Sequence, residues 1–339
     1  MIRESLKKLI GKIDLSEEEM AALVGEIMSG NATDAQIGAI MAALATKGET
    51  FAELAGAARA MRRKATRIQT NADVVVDTCG TGGDGSNTFN ISTTAAFVVA
   101  GCGVTVAKHG NRSVSSKCGS ADLLEALGVN LELGPEGVEE AVRQIGIGFL
   151  FAPLFHGAMR HAAKARKDLG VRSIFNMLGP LTNPAGANCQ LIGVYAPELT
   201  EMFAQALLLL GVRRAFVVHG HEGLDEISVC APTRVSELNK GFIRTYDISP
   251  EQLLGRTADQ MDMAGGSPAV NAEITTRILS GEKGPRRDVV VVNAGAALTA
   301  SGVAQDFREG IRMAEAAIDQ GRALQKLQEL VRFTGQMHG

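Results

Sequence analysis

Residues 73–110 read DVVVDTCGTGGDGSNTFNISTTAAFVVAGCGVTVAKHG, and this stretch decides the fold class. DVVVDT is a short β-branched run stopped by glycines, the pattern of a strand buried in a parallel sheet. ISTTAAFVVAGCG reads as a helix and GVTVAKHG as a second strand. A strand, a helical crossover and another strand make parallel neighbours, so the class is α/β. SADLLEALG then reads as a helix with Ser120 at its N-cap. Further along, GIGFLFAP, QLIGVYAP and RRAFVVHG are strand-like. Residues 156–170, ELTEMFAQALLLLG and the long tail from AQDFREG to LVRFT are helical, the tail as a pair. DVVVVNAGAAL reads as a strand running into a helix start. RSIFNMLGPLTNPAG carries Pro180 and Pro184, breaks the alternation, and reads as an ordered crossover loop where a domain junction can lie.

Before residue 73 the pattern is all-helical. Ser16 with Glu19, Thr33 with Gln36 and Thr50 with Glu53 have the spacing of capping boxes. Each opens a segment with apolar residues at helical intervals, such as Met20, Leu23, Val24 and Ile27. The chain therefore reads as a small N-terminal helical unit followed by a larger α/β unit with a mostly parallel sheet.

Gly80, Gly82 and Gly85 match G-x-G-x-x-G after a strand, the dinucleotide fingerprint. That fold needs a helix opening at the third glycine and an acid at the end of the next strand. Here SNTFN intervenes, and the next strand ends in Lys108 and His109. A cation there suits phosphate better than a ribose diol. The glycine backbone can cradle phosphate oxygens, and Asn90, Ser92 and Thr93 stand at a helix N-terminus that favours an anion. Asp84 inside the loop repels phosphate unless a divalent cation or a sugar hydroxyl meets it. One such loop alone reads better as a plain turn; two successive strand ends with these features point to a phosphate site.

Other segments extend the pattern. KHGNRSVSSKCGSAD at 108–122 has the residue types of phosphate and sugar recognition, or of a solvated polar loop. HGHEGLDEIS at 219–228 places Asp225 and Glu226 together after a strand, a pair able to hold Mg²⁺ while leaving its shell open to phosphates, or simply an acidic loop. Arg166 lies in a charged helix and can clamp a carboxylate with two hydrogen bonds, although most such runs are solvated faces. No C-x-x-C, P-loop or G-x-S-x-G is present, so zinc fingers, P-loop phosphate transfer and a serine nucleophile are not suggested.

The bulk composition agrees. With 339 residues, 45% hydrophobic and 21% charged, the chain is ordinary for a globular protein. A formal charge of −3 argues against a general nucleic-acid binder. Cys79, Cys102, Cys118, Cys189 and Cys230 are widely spaced, which suits reduced thiols. The start has no long apolar region, and AAFVVAGCGVTVA falls short of the about 20 residues of a membrane span. A cytoplasmic protein without membrane or nucleic-acid partners is expected.

VDTCGTGGDGSNTFNIST, AKHGNRSVSSKCGSADLLEALG, VRSIFNMLGPLTNPA, HGHEGLDEIS and VVNAGAAL together resemble the anthranilate phosphoribosyltransferases, in that family's order and over most of the chain from residue 73. The resemblance implies the fold shared with class II nucleoside phosphorylases. A small helical domain, residues 1–71 with an excursion around 165–187, would carry homodimer contacts; residues 72–164 and 188–339 would form the α/β domain. It implies transfer of the 5-phosphoribosyl group from phosphoribosyl pyrophosphate to the amine of anthranilate, with release of pyrophosphate, in tryptophan biosynthesis. Gly80, Thr81, Gly82, Gly83, Asp84, Thr88, Asn90, Ser92, Thr93, Lys108, Asn111, Ser115 and Ser120 would bind the donor. Gly80, His109, Asn111, His156, Arg166 and Gly179 would line the anthranilate path, and Ser92, Asp225 and Glu226 would hold one or two Mg²⁺ ions. Two departures fall on the acceptor side: Gly157 where the family commonly has proline, and Lys164-Ala165 where it often has Pro-Val. A pyrimidine nucleoside phosphorylase on the same fold, and a non-catalytic relative that binds nucleic acid, are the competing readings.

Overall fold

The structure, a computed structural model, describes residues 1–113 and 117–336. Four helices come first: α1 (Ile2–Ile10), α2 (Glu17–Met28), α3 (Asp34–Lys47) and α4 (Phe51–Lys64). All three expected capping boxes are formed, at Ser16, Thr33 and Thr50. Then follow β1 (Val75–Gly80), α5 (Ile91–Gly101), β2 (Thr105–Gly110), α6 (Ser120–Ala126), α7 (Pro135–Ile145) and β3 (Ile147–Phe151). The crossover segment carries α8 (Ala152–Phe155), α9 (Arg160–Leu169) and α10 (Ile174–Met177). It leads to β4 (Cys189–Gly193), α11 (Leu199–Leu209), β5 (Arg214–Gly220), β6 (Thr233–Asn239) and β7 (Phe242–Ile248). The chain closes with α12 (Pro250–Leu254), α13 (Pro268–Leu279), α14 (Pro285–Ser301), α15 (Phe307–Asp319) and α16 (Arg322–Gln336).

The seven strands form one sheet in the order β3-β2-β1-β4-β5-β6-β7. β3 to β5 are parallel neighbours, and β6 and β7 add an antiparallel edge. The chain winds outward from β1 to β3, then returns to the other side of β1 as β4. The strand order thus reverses between β1 and β4, and in open α/β sheets ligands bind at the carboxyl ends of the strands flanking such a switch. The glycine loop leaves β1 there, and Thr81 N donates to the Gly193 carbonyl at 2.9 Å.

Apolar burial lies on both faces of the sheet. One core joins the strands to α5, α14, α15 and α16. A second joins α1 to α4 with Ala162, Ala165, Ile174, Phe175 and Leu181 of the crossover segment and with α11. The crossover segment is therefore packed into the helical bundle. Buried Glu53 anchors the bundle: it accepts from Leu15 N at 3.0 Å and pairs with Lys47 at 3.0 Å.

The expected strand at DVVVVNAGAAL is instead the interior of α14, buried along nearly all of its length. A continuous apolar run fits a buried strand and an enclosed helix alike. Here α5, α15 and the sheet surround it, so every face must be apolar. Gly295 and Gly310 let α14 and α15 meet backbone to backbone, where a β-carbon on either would collide. Ser120 is not an N-cap either. Gly119 holds that place, Asp122 accepts from its N–H at 2.9 Å, and Ser120 is the first helical residue. Four further features had no counterpart in the sequence reading: α7, the β6–β7 hairpin, α12 and α13. No described helix is long and apolar enough to cross a membrane.

Candidate active site

The loop after β1 is shaped by its glycines. Gly82, Gly83 and Gly85 have φ of 66°, 73° and 75°, a left-handed conformation other residues rarely take. Arg172 donates to the Gly83 carbonyl and lies 4.3 Å from the Tyr195 ring. At the loop's tail, Thr88 bridges to Ala264. α5 opens at Ile91, with Asn90 as its N-cap. Five residues separate Gly85 from that opening, so the helix does not start on the third glycine as a dinucleotide loop demands.

Asp225 lies across this loop. Its Oδ2 accepts from Gly82 N at 2.9 Å, and a β-carbon on Gly80 would collide with its carboxylate. Burial, and next the charge of Asp84, lift the Asp225 carboxyl to about 6. Glu226 is raised further by burial and by Asp225, and its Oε2 is buried with no partner. Behind the pair stands Lys108, buried on β2, with Nζ donating to the Thr78 carbonyl. Burial pulls its ammonium below the usual lysine range, against the stabilising charge of Asp77.

His109 and His156 lie with ring centroids 5.0 Å apart. His109 Nδ1 is 3.1 Å from the Gly179 carbonyl. A carbonyl only accepts, so Nδ1 carries the proton and Nε2 is a bare, buried acceptor. Burial first, and then His156, lower His109 to about 3; burial lowers His156 to about 4. Both rings are neutral at physiological pH.

Among the described residues eight buried side-chain polar atoms lack a partner; five belong to Thr81, Thr93, His109, His156 and Glu226. Such atoms are rare in folded proteins. These five lie on the glycine loop, on the first turn of α5, on β2, after α8 and on the loop after β5, and each leaves a buried polar atom open to a further hydrogen bond. Comparison with known proteins identifies the family. Residues 3–65 match the family described as "Glycosyl transferase family, helical bundle domain", and residues 72–324 its "a/b domain" counterpart. The chain is 73% identical over 336 residues to the anthranilate phosphoribosyltransferase of Syntrophobacter fumaroxidans, covering 99% of this chain and 100% of that one.

The chain belongs to the anthranilate phosphoribosyltransferase family.

A crystal structure of the family from Thermus thermophilus superposes with a TM-score of 0.93 at 44% identity, over 98% of this chain and 99% of that one. The Saccharomyces cerevisiae enzyme, in complex with PRPP and Mg, gives 0.90 at 30% identity, over 99% and 98%.

The remaining family positions fall as follows. Ser92 is the second residue of α5, and its carbonyl accepts from Thr78 Oγ1 at 2.9 Å. Ser120 Oγ donates to the Asn111 carbonyl at 3.2 Å, and exposed Asn111 turns its Oδ1 to Arg112 N. Ser115 lies outside the described residues. Arg166 stands apart, 5.7 Å over the Phe175 ring, half-buried and with no carboxylate paired to it among the described residues. Burial lowers its guanidinium below the usual range. The departures are explained locally. Lys164 turns to Asp34 at 3.2 Å and Asp168 at 2.9 Å; Ala165 is buried in the bundle; nothing lies within 4 Å of where a β-carbon on Gly157 would be.

The site also fits a divalent cation. Buried Asp225, half-buried Glu226 with its unpartnered Oε2, and nearby Asp84 make a negative cluster lacking a full counter-charge. No group of three His, Cys, Asp or Glu side chains converges among the described residues. That suits Mg²⁺, which is commonly held by one or two carboxylates with phosphates and water completing the shell. Two residues escaped the sequence reading. Asp77, fully buried on β1, accepts from Asn183 Nδ2 at 2.7 Å and from His109 N at 3.2 Å. Asn183 also donates to the Ala107 carbonyl at 2.7 Å. Together they clasp the crossover segment to β1 and β2. Asp77 sits inside a hydrophobic run and Asn183 in a turn, so only their pairing across the fold reveals them.

Proposed function

We infer that this chain transfers the 5-phosphoribosyl group of phosphoribosyl pyrophosphate to the amine of anthranilate, giving N-(5-phosphoribosyl)anthranilate and pyrophosphate, as its family does. The observation that carries the residue assignments is the cluster of buried, unpartnered polar atoms at the β1–β4 switch, between a glycine loop and two neutral histidines.

The glycine loop, Asn90, Ser92, Thr93 and Lys108 take the donor's phosphates. Asp225 and Glu226, with Ser92, would hold Mg²⁺, which when bound supplies positive charge against the diphosphate. Anthranilate enters past His109, His156 and Gly179, with its carboxylate on Arg166. Its aromatic amine is neutral at pH 7 and needs no strong base before attack. The nitrogen lone pair forms the new bond at the anomeric carbon while the carbon–oxygen bond breaks, its electron pair leaving on pyrophosphate. The nitrogen then loses a proton. Lys108 and the amides opening α5 are fixed before the reaction and meet the charge that develops on the leaving oxygen. The bare Nε2 of His109 orients the amine by accepting an N–H. Packing of the crossover segment into the bundle closes the acceptor side to water and limits hydrolysis of the donor.

Loss of anthranilate fluorescence on mixing with phosphoribosyl pyrophosphate and Mg²⁺ tests the reaction; no Mg²⁺-dependent loss would refute it. Lys108→Ala abolishes turnover and His109→Ala weakens it. The reverse ranking would overturn the electrostatic account. The chain acts as a homodimer in the cytoplasm: exposed Ile10 and Ile13 on the helical unit give it apolar surface for a partner. Sedimentation velocity checks the first.

A further inference from the structure

Between β6 and α14 no motif stood out, yet Asn271 of α13 is only 1% exposed and its amide touches the donor site. Gly266 N donates to Asn271 Oδ1 at 2.7 Å. A backbone N–H can only donate, so Asn271 must turn its oxygen to Gly266 and its Nδ2 the other way. That Nδ2 donates to Asn90 Oδ1 at 2.9 Å. Asn90 in turn presents Nδ2, which donates to the Cys118 carbonyl at 3.0 Å. A carbonyl can only accept, so the direction of every bond in the chain is fixed from both ends. Asn90 does not cap its own helix with its side chain, and the bond to the Cys118 carbonyl uses one of its two amide hydrogens, while Thr93 on the first turn of the same helix has an unpartnered hydroxyl.

The same residue steadies the tail of the glycine loop. Gly266 belongs to the turn in which Ala264 bridges Thr88 and Gly265 N donates to the Asn87 carbonyl at 3.0 Å. A β-carbon on Gly265 would meet the backbone of Thr88 and Phe89 at 2.6 Å, so turn and loop are in direct contact.

We propose that Asn271 is a positioning residue for the phosphoribosyl donor: it sets the Asn90 amide so that an N–H, and not a carbonyl, faces the phosphates. This rests on the reading of the cleft as the donor site. With Asn271 removed, Asn90 loses one of the two bonds that set its amide and is held by the Cys118 carbonyl alone, so its N–H is less firmly aimed at the anion.

The test is steady-state kinetics with Mg²⁺ on the wild type, Asn271→Ala, Asn271→Asp, Asn90→Ala and the Asn90→Ala/Asn271→Ala double variant. Asn271→Ala raises the KM for phosphoribosyl pyrophosphate about tenfold or more, the scale of one hydrogen bond to a charged group, and leaves the anthranilate KM nearly unchanged. Asn271→Asp is isosteric and still accepts from Gly266, but it cannot donate to Asn90; its donor KM rises at least as much, and it decides the matter if the alanine variant fails to fold. In the Asn90→Ala background, loss of Asn271 adds little, because it acts through Asn90. Thr275→Val is the control. It breaks the 3.0 Å contact between the Thr94 and Thr275 hydroxyls, which joins the same two helices one turn on. It lowers Tm and leaves the donor KM unchanged. An unchanged donor KM in Asn271→Asp, full additivity in the double variant, or an equal rise in Thr275→Val would each overturn the proposal. A wild type with no donor-dependent turnover would instead overturn the functional reading.

Discussion

The backbone carbonyl of Asp225 occupies the space where a β-carbon of Gly193 would stand. The acidic loop after β5 therefore lies directly on the end of β4, and only a glycine there admits it. In Gly193→Ala either the loop or the strand end must shift, and Asp225 leaves its bond to Gly82. Turnover falls by at least about two orders of magnitude, since a misplacement near 1 Å at a reacting centre costs that much. Tm falls as well. Steady-state assay and thermal melting check this; a variant with wild-type kinetics would show that the loop is not held by this contact.

Asp225 and Glu226 hold like charges side by side in a buried place, an arrangement that costs stability for the sake of a ligand. Neutralising one relieves the repulsion. Asp225→Asn and Glu226→Gln are each more stable than the wild type at pH 8 without Mg²⁺, and each loses Mg²⁺-dependent turnover. Melting curves with and without the ion decide it: the wild type gains more in Tm from Mg²⁺ with donor than either variant. Equal gains would remove the pair from cation binding.

Arg166 is a half-buried cation with an aromatic neighbour and no acid partner among the described residues. Its Arg166→Met variant raises the anthranilate KM about 10- to 100-fold, the scale of hydrogen bonds to a charged group, and leaves the donor KM near its starting value. Arg166→Lys recovers only part, because a lysine cannot make the two-pronged contact. A larger effect on the donor than on anthranilate would place Arg166 on the wrong side of the cleft.

The two buried histidines set a pH dependence. From an ordinary value of 6.5, His109 is lowered to about 3 and His156 to about 4. Between 6.5 and those values the unfolded chain binds protons that the folded chain refuses. Their contribution is complete above 6.5 and is lost as pH falls toward 4, at up to about 1.4 kcal/mol per pH unit for each ring. Urea unfolding of wild type and His156→Gln from pH 4.5 to 7.5 isolates one ring's share. The variant has the shallower slope; identical slopes would mean that His156 titrates normally in the fold.

Much of this was legible in the residues. The β1–loop–α5–β2 unit declares itself by a change of period at Asp73, and the three capping boxes form at the stated residues. The α14 run misleads because periodicity vanishes when an element is enclosed on every side, and only its neighbours distinguish helix from strand. The β6–β7 hairpin was overlooked because β7 is an edge strand whose exposed and half-buried positions include few apolar side chains. In the site, glycines and charged pairs advertise themselves by type and spacing. Asp77, Asn183 and Asn271 do not: each acts through a partner far along the chain, and one sequence carries no record of that pairing.

The reversal of strand order between β1 and β4 also bears on how the enzyme comes into being. β1, β2 and β3 can associate as the chain folds locally, but Val75 N meets Asn188 Oδ1 across 113 positions. Closing so long a loop costs entropy before any contact compensates it, and such pairings are slow. The proposed donor site is built at that seam. In refolding, helical signal returns first and Mg²⁺-dependent donor binding last, so a chain arrested before the seam closes has most of its secondary structure and no catalytic power.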